Sequence, residues 1–249
     1  MDKKLIIANW KNHPDSLAEA EQILEFINDY IGTLPEKNLD LIFCPPFVFI
    51  EEVAKLMNTS YLVQDASLGA QDIASEENAT MTGEISGPML RNLGVRYVIV
   101  GHSERRWKIG ESDDMVNKKL KLALSNELTP IVCVGERERG ENSKEFLEKQ
   151  INKTFAGLSA EEINKCLIAY EPVWAISTNP DSRPDTPESA LKSISTIKEI
   201  LGSDIHVLYG GSVNSKNVKD FTLHDQIAGV LVGGASIRKE EFVEILKQV

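Results

Sequence analysis

The chain has 249 residues, of which 27 are Lys or Arg and 38 are Asp or Glu, so its formal net charge is −11. This acidic balance argues against a nucleic-acid partner and against an anionic membrane surface, because both need a basic footprint. The length and the 42% of hydrophobic residues suit one domain over residues 1–249, and a small anionic ligand stays compatible because local donors can oppose the net field.

Short apolar runs rich in Val, Ile and Leu alternate along the chain with longer segments of helical period. Nearly continuous apolar runs are typical of strands that are buried on both faces of a parallel sheet. The predicted strands, in chain order, are Leu5–Asn9, Leu39–Cys44, Tyr61–Gln64, Tyr97–Val100, Ile131–Val134, Leu167–Tyr170, His206–Tyr209 and Ile227–Val232.

The segments between these strands carry their apolar residues on one helical face. Two of them also begin with recognisable signals, since Thr186-Pro187 offers a capping threonine with proline in the first turn, and Ser112 precedes acidic residues. The predicted helices are Leu17–Tyr30, Phe47–Met57, Asp113–Asn126, Glu145–Phe155, Pro187–Leu201 and Glu240–Val249.

Eight strand-helix units in 249 residues leave about 31 residues for each unit, close to the size of one parallel crossover. The sequence therefore predicts the α/β class and a single eight-stranded parallel (β/α)8 barrel. The alternative is an open doubly wound sheet, which normally has a glycine-rich loop after its first strand. Here the first strand ends in Asn9-Trp10-Lys11, without glycine, and this favours the barrel.

Polar residues at the predicted strand ends are candidates for chemistry, because active sites of such barrels lie at the carboxyl ends of the strands. Three have structural alternatives: Asn9 could cap a loop, Lys11 could be a surface charge and His102 could be a satisfied core histidine. Glu171 ends a fully apolar strand, where a carboxylate is costly unless it is paired or useful, so we favour a functional role. The full set is Asn9, Lys11, Gln64, Asp65, His102, Glu104, Cys133, Glu136 and Glu171.

Two glycine pairs follow the last two strands, at Gly210-Gly211-Ser212 and Gly233-Gly234. Glycine lets backbone N–H groups approach an anion closely, and we expect a short helix over Ala235–Ile237 to add its positive end. Barrels of this type often bind phosphate at these two loops. We expect a phosphorylated small molecule there, whereas His13, His206 and His224 are expected to be structural or solvated.

A lysine, an imidazole and a carboxylate that converge on such a ligand suit proton abstraction next to a carbonyl group. The sequence shows no set of metal ligands and no nucleotide-binding loop. Neither a signal peptide nor a membrane span is predicted, because the first apolar run is only Leu5–Ala8. The widely separated Cys44, Cys133 and Cys166 are expected to be buried reduced thiols of a cytoplasmic protein.

Several runs closely resemble the triosephosphate isomerase family, in the family's order and along the whole chain. The His102 and Glu171 runs are the most specific because each is several residues long. The matching runs are Asn9-Trp10-Lys11, Leu68-Gly69-Ala70-Gln71-Asp72, Thr82-Gly83-Glu84-Ile85-Ser86, Val100-Gly101-His102-Ser103-Glu104-Arg105-Arg106, Cys133-Val134-Gly135-Glu136, Tyr170-Glu171-Pro172-Val173-Trp174-Ala175-Ile176, Tyr209-Gly210-Gly211-Ser212-Val213 and Leu231-Val232-Gly233-Gly234-Ala235-Ser236.

This resemblance implies a TIM barrel that interconverts dihydroxyacetone phosphate and D-glyceraldehyde 3-phosphate without a cofactor or a metal. Glu171 would remove and return the proton, and neutral His102 would polarise the carbonyl. Lys11 would supply positive charge, and Asn9 would donate a hydrogen bond to the substrate. Glu104 would lie beside Lys11, and Cys133 is placed with it behind the residues that touch substrate.

The resemblance also assigns the phosphate site, the lid and the assembly. Backbone N–H groups of Ser177, Ser212, Gly233 and Gly234 would bind phosphate. The family is typically a homodimer, in which a loop like Ala79–Glu84 inserts Thr82 beside the partner's catalytic lysine. The mobile lid that excludes water would consist of Pro172, Val173, Trp174, Ala175, Ile176, Ser177, Thr178 and Asn179.

The lid departs from the family pattern, since the usual Ile-Gly-Thr-Gly-Lys appears as Ile176-Ser177-Thr178-Asn179-Pro180, and the loop up to Pro187 is longer. Asn179 tolerates the left-handed region, whereas Pro180 stiffens the far hinge. We expect retained activity with altered lid kinetics. The alternatives are a barrel that binds phosphorylated metabolites without turnover and another phosphosugar enzyme of the same fold.

Overall fold

The eight-stranded barrel expected from the sequence is present in the computed structural model. The strands are parallel, follow one another in chain order and close through pairing of the first with the last. They are β1 (Lys4–Asn9), β2 (Leu39–Cys44), β3 (Ser67–Ala70), β4 (Tyr97–Val100), β5 (Thr129–Val134), β6 (Leu167–Tyr170), β7 (His206–Tyr209) and β8 (Gly229–Val232). The structure describes residues 3–31, 39–59, 66–77, 80–140, 143–177 and 182–249.

The α-helices surround the barrel, and each of the six predicted ones is present with ends shifted by a few residues. The caps also form as expected, because the side chains of Ser112 and Thr186 accept from the N–H groups of Met115 and Ser189. Short 3₁₀ turns cover Phe47–Phe49 and Val173–Ala175. The helices are α1 (Leu17–Ile31), α2 (Ile50–Thr59), α3 (Gly87–Asn92), α4 (Asp113–Ser125), α5 (Ser143–Thr154), α6 (Ala160–Asn164), α7 (Pro187–Leu201), α8 (Val218–Thr222) and α9 (Lys239–Gln248).

The third strand lies later in the sequence than the predicted one. The predicted Tyr61–Gln64 lies outside the described residues, and the strand between β2 and β4 is Ser67–Ala70. Its sequence lacks a continuous apolar run, and it keeps Gly69 because a Cβ there would overlap the Cys44 sulfur. As a result, Gln71 and Asp72 follow the strand, in the place expected for Gln64 and Asp65.

Alternating strand residues build two apolar layers. Ile7 and Leu231 point into the barrel, whereas Ile6 and Val232 pack outward against the helices. Closure between β1 and β8 rules out the open sheet and brings every strand's carboxyl end to one rim. The three cysteines are buried and free of disulfides, and no helix in the described residues is long and apolar enough to span a membrane.

Candidate active site

The predicted catalytic and phosphate-binding residues come together at the carboxyl rim of the barrel. They line one cavity of about 480 Å³, which is also bounded by Ile176, Gly210, Gly211 and Leu231. His13, His206 and His224 do not line it. The predicted residues in its wall are Asn9, Lys11, His102, Glu171, Ser177, Ser212, Gly233 and Gly234.

Glu171 follows β6 directly and is only 2% exposed. One carboxylate oxygen accepts from the N–H of Ser103 at 2.8 Å, and the other lies 3.0 Å from Nε2 of His102. Burial raises the pKa of Glu171, but His102 and the Ser103 N–H lower it more, so its pKa lies below the ordinary value. The geometry thus holds an ionised carboxylate in a nearly dry site, where it can act as a base.

The protonation of His102 follows from its two hydrogen bonds. Its Nδ1 accepts from the backbone N–H of Glu104 at 3.2 Å. A nitrogen that accepts carries no proton, so the remaining proton belongs on Nε2, which faces Glu171. His102 is therefore arranged as a neutral imidazole that can donate from Nε2 into the cavity.

Lys11 is held by an unusual backbone conformation, with a φ of 55°. A non-glycine residue in this region is strained by about 1–2 kcal/mol, and neighbours must offset it. The Lys11 N–H donates to the Asn9 side chain at 3.0 Å, and the Lys11 carbonyl accepts from the Gln71 side chain at 2.6 Å. Gln71 also donates to the Cys44 carbonyl at 2.9 Å, so it ties Lys11 to the end of β2.

The Lys11 side chain forms an ion pair with Glu104, with Nζ 3.0 Å from Oε1. Burial raises the pKa of Glu104, but the ion pair with Lys11 and the charge of Lys108 hold it below the ordinary value. The ammonium group therefore keeps a fixed place in the cavity wall beside an ionised carboxylate. Cys133 is buried behind Glu171, and burial together with that carboxylate raises the pKa of its thiol.

The N–H groups predicted to bind phosphate differ in whether they already have a hydrogen-bond acceptor. Among the described residues, the N–H groups of Ser212, Gly233 and Gly234 have no acceptor. The N–H of Ser177, in contrast, donates to the Ser212 hydroxyl at 2.7 Å, and that hydroxyl donates to the Ala175 carbonyl at 2.9 Å. The expected helix over 235–237 is instead a turn, closed by the Ser236 N–H on the Gly233 carbonyl.

The first half of the predicted lid is anchored to the rim by aromatic and charged groups. Glu136 accepts from the Trp174 indole and from the Tyr170 hydroxyl, both at 2.9 Å. The Arg139 guanidinium lies over the Trp174 ring, 4.9 Å from its centroid. Residues 178–181, which include the predicted lid residues Thr178 and Asn179, lie outside the described residues.

Behind the rim, four buried or half-buried charges form a closed network. Lys119, only 2% exposed, lies 2.6 Å from an oxygen of Asp72 and 2.5 Å from one of Glu111. Arg105 contacts the same two carboxylates, each at 2.7 Å. The network joins the loop that carries Gln71 to the loop that carries His102, so it supports both sides of the cavity.

The predicted dimer residue is not brought to the site by these contacts. Thr82 lies on an exposed loop after β3. The described residues contain no group of three or more His, Cys, Asp or Glu that could hold a metal ion.

Comparison with known proteins gives one consistent result. A family model described as triosephosphate isomerase matches residues 4–249. Relatives of that name from Caldanaerobacter subterraneus subsp. tengcongensis and Dictyoglomus turgidum are 41% and 39% identical over 99% of this chain, and the matches cover 99% and 100% of their own lengths. A third, from Endomicrobium trichonymphae, is 40% identical over 99% of both chains.

Asp72→Asn tests whether burial of the negative charge of Asp72 in this network destabilises the folded state. Burial raises the pKa of Asp72 to about 6, although Lys119 and Arg105 oppose it. In the unfolded chain the pKa of an aspartate is lower, about 3.9, so the folded state binds the Asp72 proton more tightly than the unfolded state does. This proton therefore stabilises the folded state at low pH, and the stabilisation is lost as pH rises through 6. We expect the variant to be more stable than the natural protein at pH 7.5, by at most about 3 kcal/mol.

This difference in the free energy of unfolding should close as pH falls from 6 to 4, measured by urea denaturation at each pH. Asp40→Asn is the control, because Asp40 pairs with Lys3 at the surface and is half exposed. A variant that is less stable than the natural protein at pH 7.5 would show that the ion pairs outweigh the burial cost.

Proposed function

The chain belongs to the triosephosphate isomerase family and interconverts dihydroxyacetone phosphate and D-glyceraldehyde 3-phosphate, and we propose that Glu171, His102 and Lys11 carry this reaction. The observation that supports the assignment best is the buried carboxylate of Glu171, 3.0 Å from Nε2 of His102 in a cavity that Lys11 also lines. A base, a neutral donor and a cation thus face one cavity.

The reaction moves one proton between neighbouring carbons. Glu171 takes a proton from the carbon next to the carbonyl, and the electron pair left on that carbon makes an enediolate. His102 donates from Nε2 to the oxygen that becomes negative, and then shuttles a proton between the two substrate oxygens. Glu171 returns its proton to the neighbouring carbon, which completes the isomerisation with no net change in the protein.

Lys11 and Asn9 stabilise the charge that develops on the enediolate. The ammonium of Lys11 is fixed by Glu104 and by the strained backbone, so little reorganisation is needed when charge appears. The Asn9 side chain already accepts the Lys11 N–H through its carbonyl oxygen, which leaves its amide NH₂ group as the donor to substrate.

The phosphate group is bound by the free N–H groups of Ser212, Gly233 and Gly234. Ser177 joins them when its N–H exchanges the Ser212 hydroxyl for a phosphate oxygen. Its φ is not positive, so the serine fits where the family pattern has glycine, and this removes the main reason for a barrel that only binds metabolites. The lid then excludes water, which protects the enediolate from losing its phosphate.

The active form is a homodimer, with Thr82 reaching the partner's site. Exposed apolar side chains on the segments that follow β2, β3 and β4, including α3, support a self-complementary contact at one side of the rim. They are Val48, Met81, Met89, Trp107 and Ile109, with exposed fractions of 81%, 41%, 57%, 40% and 65%. The buried free thiols fit a reducing compartment, and we place the enzyme in the cytoplasm.

Glu171→Gln tests the assigned base. The amide keeps the size and the contact with the Ser103 N–H but cannot accept the proton, so kcat should fall by about 10²–10⁴-fold in a coupled assay with glyceraldehyde 3-phosphate. Glu161→Gln on the exposed first turn of α6 is the control and should keep the natural rate. Full activity of Glu171→Gln would refute the assignment.

Ile109→Asp tests the dimer. A charge in place of this exposed apolar side chain should split the assembly, so light scattering after size exclusion should show one chain where the natural protein shows two. Leu223→Asp is the control, because Leu223 is 69% exposed but follows α8, away from the patch. A natural protein that elutes as a monomer would contradict the proposal.

A further inference from the structure

The segment that returns from the lid to α7, residues 182–186, carries an acid that the reaction above does not use. Both carboxylate oxygens of Asp185 are buried, and neither has a hydrogen bond of regular geometry. The segment is tied to the lid, because the Arg183 N–H donates to the Trp174 carbonyl at 3.1 Å. A buried carboxylate in such a place is costly unless it acts on a neighbour.

Capping of α7 does not explain Asp185. The N-cap is Thr186, whose hydroxyl already accepts the Ser189 N–H at 3.3 Å. The carboxylate of Asp185 lies beside the Ser189 side chain and the Thr186 N–H, with Arg139 as the neighbouring cation, and it also faces the Tyr209 hydroxyl. Burial, and next the charge of Asp185, raise the pKa of Tyr209, so this phenol stays a donor.

Tyr209 contacts the backbone of the proposed phosphate site. It ends β7, is 1% exposed, and its ring stacks on Phe221 with centroids 3.9 Å apart. Its hydroxyl lies against the backbone of Gly211, where any Cβ would overlap it. A shift of this hydroxyl therefore displaces Gly211 and the following Ser212, whose hydroxyl binds both Ser177 and Ala175 of the lid.

We propose that Asp185 is a positioning residue that holds the Tyr209 hydroxyl and, through it, sets the Gly211-Ser212 peptide for the phosphate group. The longer loop of this chain thereby links the return side of the lid to phosphate binding. This inference rests on the proposed role of the Ser212 N–H as a phosphate donor.

Binding of inorganic phosphate, measured by calorimetry, tests the link without turnover. Asp185→Ala and Tyr209→Phe should each weaken binding about tenfold, because each removes one side of the contact that places the Tyr209 hydroxyl against Gly211. The double variant should bind no more weakly than either single one, because both changes break one link. Asp185→Asn keeps an acceptor oxygen and should bind within about twofold of the natural protein.

The asparagine variant also separates positioning from charge. If Asp185 acted only through its negative charge, both Asp185→Ala and Asp185→Asn would tighten phosphate binding, and the proposal would be wrong. Additive losses in the double variant, or unchanged binding in Asp185→Ala, would equally overturn it. Circular dichroism checks that each variant folds, and Asn in place of Asp is the mildest change if Ala disrupts the loop.

Asp204→Ala is the matched control, since Asp204 is exposed in the turn between α7 and β7, at the amino end of the strand and opposite the carboxyl rim. In the coupled assay, Asp185→Ala should raise KM by about the same factor as it raises the dissociation constant of inorganic phosphate, with a smaller change in kcat. The test stays distinct from that of the proposed function, because Glu171→Gln should lose turnover and keep the phosphate affinity of the natural protein.

Discussion

The negative charge of Glu171 is buried at the end of an apolar strand, which is unfavourable, and the surrounding residues of the rim compensate for this burial. Two donors offset it, the Ser103 N–H and Nε2 of His102. Both belong to the loop after β4, so that loop must lie across the barrel mouth next to β6. Gly135 is required beside it, because a Cβ at that position would overlap the Glu171 backbone. The Glu171 carboxylate, the His102 loop and the closed barrel therefore depend on one another.

Lys11 brings positive charge to the same cavity in a strained backbone conformation, and hydrogen bonds with neighbouring residues offset the strain. Lys11 keeps its left-handed backbone because Asn9 accepts its N–H and Gln71 donates to its carbonyl. Gln71 is in turn next to Asp72 in the buried charge network, which also holds Arg105 after the His102 loop. Short-range contacts of this kind explain how a chain with a net charge of −11 can hold a phosphorylated substrate.

Apolar runs predicted seven of the eight strands and periodicity predicted six helices, but β3 lacks a run and α3, α6 and α8 are too short for a period. Strand ends and motifs singled out Asn9, Lys11, His102 and Glu171 of the cavity wall, but not Asn214 or Arg238. Gln71 and Asp185 were missed, because their importance comes from partners far away in sequence, at Lys11 and Tyr209. The bond between Ser177 and Ser212 likewise depends on how two loops meet at the rim.

The central claim is that a neutral imidazole of His102, protonated on Nε2, faces an ionised Glu171. Nitrogen-15 NMR of the histidine side chains at pH 7 tests it most directly, with the His102 signals identified by their loss in His102→Gln. The account predicts one bare nitrogen at Nδ1 and one protonated nitrogen at Nε2. A proton on Nδ1, or on both nitrogens, would contradict it.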